Sequence, residues 1–149
     1  YEQIALGFNY RMTEMQAALG LSQFERLDEF VSERAERAMF YNDAFADSPV
    51  EIPGQHADTQ SAWHLYVVRI APNRRRETFD WLRELGIGVN VHYIPVHTQP
   101  FFRRMGFRNG DFPAAENYYR SALSIPLFPK LAAKEQQFIV DSICRAVDV

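Results

Sequence analysis

The first third of the chain has the apolar periodicity of a long helix. Apolar side chains recur every three or four positions from residue 21 to residue 45, and no proline occurs over 13–46. Thr13 followed by Gln16 is typical of a capping box at a helix N-terminus. The pattern predicts one helix over 13–46 that can bend at Gly20. It would be about 50 Å long, more than the diameter of roughly 40 Å of a compact domain of this size, so it either kinks or packs its front half against something outside the chain.

The rest of the chain alternates between strand-like and helix-like patterns. Pro95 ends one predicted strand, and Gly86 is expected as the left-handed C-cap of a helix. The predicted strands are 64–70, 88–94 and 123–125, with a short additional strand at 50–52, and the predicted helices are 74–85, 113–123 and 133–147. The first strand has apolar residues on both faces and is expected to be buried on both. The sum is an α+β fold, a long helix followed by a small sheet covered by helices.

Composition and charge disfavour several classes of function. Of the 149 residues, 47% are hydrophobic and 23% are charged, and no apolar run approaches 18 residues, so we expect neither a disordered tail nor a membrane protein. A net charge of −3 argues against a protein that binds nucleic acid through electrostatics. The single cysteine, Cys144, cannot form a disulfide within the chain, which favours a reducing compartment and a cytoplasmic location.

Three histidines and a tyrosine form the first group of candidate functional residues: His64, His92, His97 and Tyr93. One interpretation is a polar cluster that lines a cleft, because His92 occupies the less apolar face of its strand and His97 follows on a proline-bounded loop. A second is a metal site, which the absence of Asp, Glu and Cys over 90–100 disfavours. A third is a set of histidines that hydrogen-bond backbone groups at a strand end. The residues alone leave these alternatives open.

A second group, Asn9, Tyr10 and Arg11, lies just before the predicted long helix. An asparagine and an arginine at a helix N-terminus suit a phosphate, which the helix dipole and the free amides also favour. The alternative is a structural turn with a surface arginine. A third group of side chains forms either an anion-binding patch or a solvated surface: Arg74, Arg75, Arg76, Arg103, Arg104 and Arg108.

Four runs in a fixed order carry a resemblance to a known family. They are GFNYRMTEMQAALGLSQFERLDEF, SAWHLYVV, GIGVNVHYIPVHTQPFFRRMGF and FPAAENYYRSALSIPLFP. They resemble the C-terminal part of the nucleotide-sugar aminotransferases of the DegT family, which depend on pyridoxal 5'-phosphate (PLP). Within that family, the run VHYIPVHTQP is similar to the enzymes that aminate a UDP-linked 4-keto-6-deoxy-N-acetylhexosamine in pseudaminic acid biosynthesis.

The resemblance implies the small C-terminal domain of a fold-type I aminotransferase, with a mainly antiparallel sheet. It also implies a homodimer whose two active sites lie at the subunit interface. Asn9 matches the family asparagine that reaches the phosphate of the other subunit's PLP. The substrate-side positions of the family are matched by Tyr10, Arg11, His92, Tyr93 and His97. The implied reaction moves an amino group from glutamate, through the cofactor, to the ketone of a nucleotide-linked sugar.

The lysines limit what the chain is expected to do alone. Its sixteen basic residues include two lysines, Lys130 and Lys134, and neither matches a catalytic position of the family. In the family, a large domain with the Schiff-base lysine precedes the asparagine motif, but eight residues precede Asn9 here. The resemblance therefore implies an inactive fragment without the large PLP-binding domain, in which 1–46 is the interface motif and linking helix and 47–149 is the small domain.

Two other classes of function compete with the fragment. One is a stand-alone binding or regulatory module that kept the small domain and lost its chemistry. The other is an arginine-rich protein that binds polyanions, which the net charge of −3 supports little. Apolar residues around Ala17, Ala18 and Leu21 favour the fragment over the module, because they predict a helix face that needs an external partner. The expected partners are thus a second copy of the protein, glutamate and a nucleotide sugar, with neither nucleic acid nor a membrane.

Overall fold

Six α-helices and a two-stranded antiparallel sheet are formed by residues 2–7 and 12–147, the part of the chain that the computed structural model describes. In chain order these elements are α1 (Glu14–Phe24), α2 (Leu27–Phe45), β1 (Tyr66–Arg69), α3 (Pro72–Glu84), α4 (Pro100–Arg104), α5 (Pro113–Ser121), β2 (Ala122–Ile125) and α6 (Ala133–Val147), with a 3-10 turn at Val96–Thr98 before α4. The α+β class predicted from the sequence is confirmed. No helix in the described residues combines the length and the apolar character needed to cross a membrane.

The predicted long helix is two helices. The capping box at its start is confirmed, since the Gln16 amide donates to Thr13 Oγ1 at 3.3 Å and the Thr13 amide donates to Gln16 Oε1 at 2.9 Å. The kink, one of the two alternatives for the long helix, is confirmed, but its position is not Gly20, which lies inside α1: the chain turns at Glu25 and Arg26. Neither turn residue is a glycine or a proline. The apolar spacing continues across the break, so the sequence pattern does not reveal it. The two helices are about 16 and 28 Å long, which removes the conflict with the size of the domain.

An apolar core forms where α2, the sheet, α3 and α6 meet. Tyr41 of α2 lies within it, with its ring centroid 6.0 Å from that of Phe45 and 5.0 Å from that of Tyr66. The Tyr41 hydroxyl donates to the Pro126 carbonyl at 2.9 Å, and the Tyr66 hydroxyl donates to Asn42 Oδ1 at 2.6 Å. Burial raises the pKa of both phenols above its ordinary value. Both hydroxyls therefore stay protonated and hydrogen-bonded at neutral pH.

The sheet is smaller than the sequence predicts. The strand predicted over 64–70 is reduced to the four residues of β1, which pair antiparallel with the four residues of β2. Tyr66 and Val68 are buried, whereas Val67 and Arg69 on the other face are partly exposed. The expectation that both faces of this strand are buried is therefore wrong, because only one face meets the core.

The predicted strand over 88–94 is not formed. Asn90 makes a single antiparallel bridge with Ser124 of β2, and the pairing goes no further. In this register His92 lies opposite Ala122, whose amide donates to the Tyr118 carbonyl at the end of α5, and Gly88 lies opposite Pro126, which has no amide proton. The short strand expected at 50–52 is likewise reduced to one bridge, at the end of β1. The backbone groups of the partner strand thus limit the pairing, and a strand-like pattern forms a loop.

The helices that follow β1 in the chain agree more closely with the sequence. The predicted helix over 133–147 is α6, with the same bounds, and the helix predicted over 74–85 is α3. Gly86 follows α3 with φ 78°, which confirms the left-handed C-cap. The helix predicted over 113–123 ends at Ser121, because the next residue turns into β2.

Candidate functional site

The N-terminal segment is attached to α4. The Gln3 amide donates to Gln99 Oε1 at 2.9 Å, and the Phe101 amide donates to the Gln3 carbonyl at 3.0 Å. The Arg104 guanidinium also donates to the Ile4 carbonyl. Gln99 is buried, and its side-chain oxygen holds this segment through the hydrogen bond from Gln3. The structure thus anchors the chain beside α4 shortly before the predicted phosphate motif.

The residues of that motif, Asn9, Tyr10 and Arg11, lie outside the described residues. Their roles toward PLP and the substrate remain predictions. The contacts of Gln3 and Ile4 with α4 were not predicted from the sequence, since nothing in the pattern links residues almost 100 positions apart.

His92 is oriented by the sheet. Its Nδ1 lies 2.7 Å from the hydroxyl of Ser124, a buried residue of β2. The ring of Tyr93 meets the His92 ring edge to face, with centroids 4.6 Å apart, and the peptide bond between the two residues is cis. Tyr93 is 61% exposed. The pair therefore presents a fixed imidazole and an accessible phenol on one loop.

His97 is oriented by a carboxylate. Its Nε2 lies 2.8 Å from Glu116 Oε1, and the Gly110 amide donates to the same oxygen at 2.6 Å. His97 is 7% exposed. The Gly110 hydrogen bond, and next the His97 hydrogen bond, lower the pKa of Glu116 below its ordinary value. Because an ionised carboxylate only accepts hydrogen bonds, His97 Nε2 carries a proton.

His97 also lies in the wall of an aromatic pocket. We call this the aromatic pocket; its volume is about 390 Å³ and it is lined by Val96, His97, Phe102, Phe107, Phe112 and Ala115. The His97 ring centroid is 4.8 Å from that of Phe112, and the Phe107 centroid is 6.1 Å from Phe112 and 6.3 Å from Phe102. Neither Glu116 nor these phenylalanines were predicted as site residues. The density of phenylalanines over 101–112 was the signal that could have found the pocket.

The predicted histidines do not form one cluster. Within the described residues, no hydrogen bond or ring contact joins His92 or Tyr93 to His97. His64 is exposed, and its carbonyl faces Arg34 of α2 at 3.4 Å. No group of three or more His, Cys, Asp and Glu side chains in the described part of the chain could hold a metal ion. The two oriented imidazoles are therefore separate features, His92 before the 3-10 turn and His97 within it.

The arginine groups mostly serve structure. Arg74 donates to the Ala146 carbonyl at the end of α6, and Arg76 pairs with Asp80 at 2.7 Å. A cavity of about 730 Å³, larger than the aromatic pocket, lies between α3 and α6 at these residues. Both acidic and basic groups line it, Arg74 and Arg76 among them, but His92, Tyr93 and His97 do not. We therefore place the candidate site on the loops that carry His92 and His97 rather than at this cavity.

Neither lysine lies at the candidate site. Lys130 and Lys134 are exposed, and Lys130 lines a cavity with Phe30 and Phe128 beside α2. His97 lines the aromatic pocket, whose wall contains no lysine. The described residues thus offer oriented imidazoles, a phenol and aromatic rings, but no amine beside them.

Known proteins resemble this chain over almost its whole length. The spore coat polysaccharide biosynthesis protein SpsC of Bacillus subtilis is 38% identical over 96% of the chain, and the UDP-4-amino-4,6-dideoxy-N-acetyl-beta-L-altrosamine transaminase of Campylobacter jejuni is 32% identical over 95%. The chain spans 39% of the length of each. Spr1654 of Streptococcus pneumoniae, described as a sugar aminotransferase and solved in its PLP form, superposes with a TM-score of 0.86 at 27% identity, covering 93% of this chain and 36% of that one.

The family comparison matches the same stretch. The model of the DegT/DnrJ/EryC1/StrS aminotransferase family matches residues 1–144. This range contains all four runs on which the resemblance was based, together with β1, β2 and the loops that carry the two oriented histidines. The chain belongs to the DegT/DnrJ/EryC1/StrS aminotransferase family.

Proposed function

We propose that this chain is the substrate-side part of a PLP-dependent nucleotide-sugar aminotransferase. The observation that carries the proposal is the arrangement of the family segment over 88–98: His92 is held by Ser124 of the sheet, and His97 by Glu116 of α5. Two imidazoles fixed by different elements on one loop are a scaffold for orienting a polar substrate. The work of the chain is then recognition and positioning, with the cofactor held mainly elsewhere.

PLP fits this chain only in part. The described residues place no lysine beside His92 or His97, and Asn9, the residue proposed to reach the cofactor phosphate across the dimer, lies outside them. When bound, PLP would supply the electron sink that carries an amino group between donor and acceptor. We propose that a large domain, in the portion of its relatives that this chain does not span, supplies the lysine. The chain alone is then inactive.

The substrate we propose is a UDP-linked 4-keto-6-deoxy-N-acetylhexosamine, with glutamate as the amino donor. Support comes from the 32% identity to the Campylobacter altrosamine transaminase and from the run VHYIPVHTQP. We propose that Tyr93, which is exposed next to a fixed imidazole, contacts a sugar hydroxyl, and that Tyr10 and Arg11 contact the phosphates. A pathway that makes pseudaminic acid would use this activity in the cytoplasm.

The assembly we propose is a homodimer in which α1 is covered. In the described structure, no residue of α1 is buried, and Leu21 and Phe24 are 73% and 70% exposed. Exposed apolar side chains at this density on one helix are typical of a surface that meets another part of a protein. This supports the fragment over a stand-alone binding module, for which a polar surface is expected here.

Turnover by the full-length protein tests the proposal. Incubated with PLP, glutamate and the UDP-linked keto sugar, it should release 2-oxoglutarate and form the amino sugar. Replacing His92 by alanine should lower this rate, whereas replacing Phe128, an exposed residue near Lys130, should leave it unchanged. A full-length protein that binds no PLP and releases no 2-oxoglutarate with any nucleotide-linked keto sugar would contradict the proposal.

A further inference from the structure

The aromatic pocket has the construction of a binding site for a flat ring. Its wall is formed by three phenylalanine rings and the imidazole of His97, with small apolar contributions from Val96 and Ala115. Its volume of about 390 Å³ is within the range of small-molecule sites, in which apolar walls surround a few fixed polar groups. Aromatic side chains bind nucleobases by stacking, whatever the base. The walls therefore suit a planar heterocycle.

His97 adds a single directional polar group to this apolar wall. Its Nε2 carries a proton, because it faces the carboxylate of Glu116 at 2.8 Å. In the neutral imidazole the other nitrogen, Nδ1, is then an acceptor. Within the described residues, the hydrogen bond of the His97 ring is made by Nε2, and none is made by Nδ1. A ligand in the pocket that carries an N–H group can donate to it.

Glu116 keeps the imidazole in this form. The same oxygen, Oε1, also accepts the Gly110 amide at 2.6 Å. Two donors on one oxygen tie the loop over 105–112, which carries Phe107 and Phe112, to the ring of His97. Glu116 is thus a positioning residue: it acts on the ligand only through the proton on His97 and the placement of this loop.

Positive charge borders the pocket. A second cavity of about 320 Å³, to which Glu116 contributes, is lined by Arg103 and Arg120. Their guanidinium groups donate to Asn109 and Asn117, and within the described residues neither arginine is in an ion pair. An anionic group attached to the ring through a sugar is therefore favoured next to the pocket.

We infer that the aromatic pocket binds the nucleobase of the nucleotide-linked substrate and selects a base that presents an imide N–H to His97 Nδ1, as uracil does. This inference rests on the proposed function and adds to it the location of the base, the residue that selects it, and Glu116 as the residue that sets the selection. Cytosine has a hydrogen-bond acceptor, N3, where uracil has the N3–H donor. Two lone pairs, those of cytosine N3 and His97 Nδ1, would then face each other, so cytosine is disfavoured.

Titration of the 149-residue chain with nucleosides, followed by amide chemical shifts, tests the inference. Uridine should bind with a dissociation constant on the order of 1 mM and shift the amides of Phe107, Phe112 and His97. Cytidine and 3-methyluridine, which both lack the N3 proton, should bind at least about threefold more weakly, as expected for one hydrogen bond. Equal binding of the three nucleosides, or shifts confined to other parts of the chain, would overturn the assignment.

Two matched pairs of variants separate stacking from selection. Phe107→Ala should weaken uridine binding by about fivefold or more, whereas Phe128→Ala, at a similarly exposed phenylalanine in another cavity, should not. Glu116→Gln keeps an oxygen acceptor and should retain the preference for uridine over cytidine. Glu116→Leu removes the acceptor that keeps the proton on Nε2, so this variant should lose the preference for uridine over cytidine. If both variants keep the preference for uridine over cytidine, the role proposed for Glu116 is wrong. Nitrogen chemical shifts of His97 report the tautomer directly in both variants.

The positive charge of Arg103 and Arg120 beside the pocket allows an independent test. Uridine monophosphate should bind more tightly than uridine, and Arg120→Gln should reduce that gain while keeping the preference for uridine over cytidine. A phosphate that adds nothing would overturn the orientation of the nucleotide. If uridine fails to bind while the full-length enzyme turns over its nucleotide sugar, the base site is wrong and the proposed function stands; absence of turnover contradicts the proposed function, whatever the titration shows.

Discussion

The helices α1 and α2 follow each other along the chain with the same apolar spacing, but their surroundings differ completely. α2 buries Ala38, Tyr41 and Phe45 against the sheet and α6. α1 buries no residue, and its apolar side chains, among them Leu21 and Phe24, face solvent in the described structure. Periodicity therefore predicts that a helix forms and which face is apolar, but not what covers that face.

The difference also separates two sources of helix stability. α1 is held by its own hydrogen bonds and by the capping box of Thr13 and Gln16, and an isolated helix of this length is marginal in water. α2 gains most of its stability from packing, as the contacts of Tyr41 show. We infer that α1 is completed by another surface, whereas α2 is complete within this chain.

The largest expected effect is in the core. Phe45→Ala removes a ring that is 1% exposed and should lower the free energy of unfolding by about 3–5 kcal/mol. Phe24→Ala, the matched change on α1, should alter it by less than about 0.5 kcal/mol. Urea denaturation of both variants, at a protein concentration at which the chain is monomeric, measures the contrast. Similar losses at the two positions would show that α1 is packed within the monomer.

Association through α1 is the next expected effect. We predict that the chain self-associates through the apolar face of this helix. The double change Leu21→Glu and Phe24→Glu should abolish association, because it places two charges on that face. Gln23→Glu, which adds one charge at an exposed polar position of the same helix, is the control. Sedimentation velocity over a range of concentrations measures this, and a monomeric wild-type chain at high concentration would contradict it.

A smaller and local effect is expected at the start of α1. Thr13→Ala removes the side-chain acceptor of the Gln16 amide and should destabilise α1 by about 1 kcal/mol. Because α1 contributes no buried residue, global unfolding should be unchanged while amide exchange over 15–24 accelerates. An equal loss in global stability would mean that α1 and α2 unfold as one unit.

Acid should loosen the loop held by Glu116 before it affects the apolar contacts of α2. The folded pKa of Glu116 lies below the ordinary value of 4.5, so the ionised carboxylate contributes stability at pH above 4.5 and loses it as the pH falls through the folded pKa. The Gly110 amide shift should titrate with a midpoint below 4.5, and this titration should vanish in Glu116→Gln. A wild-type midpoint at or above 4.5 would contradict the two hydrogen bonds on Oε1.

The sequence predicted the fold where local rules decide it. α6, α3 and the glycine that ends α3 follow from spacing and backbone preference alone. The break at Glu25 and Arg26 could not be predicted, because it lacks a residue that disrupts helices. The strand expected over 88–94 did not form for a different reason: opposite it, the Ala122 amide is used by α5 and Pro126 has no amide proton, and the alternation of apolar residues in 88–94 contains no information about this partner.

The candidate site was predicted in its residues but not in its partners. His92, Tyr93 and His97 were found because they interrupt an apolar pattern. Glu116 lies 19 residues from His97, and only the folding of the loop between α4 and α5 brings their atoms to 2.8 Å. The resemblance to the family pointed to the segments that carry these residues, whereas the hydrogen bonds that orient their side chains required the structure.

The most direct test of the central claim asks which lysine binds PLP. The account holds that this chain positions the substrate while the cofactor lysine lies in the rest of the enzyme. Borohydride reduction of the full-length protein with stoichiometric PLP, followed by mass spectrometry, should place a single phosphopyridoxyl group on a lysine outside these 149 residues, and the chain alone should carry none at high occupancy. A high-occupancy adduct on Lys130 or Lys134, together with transamination by the chain itself, would contradict the account.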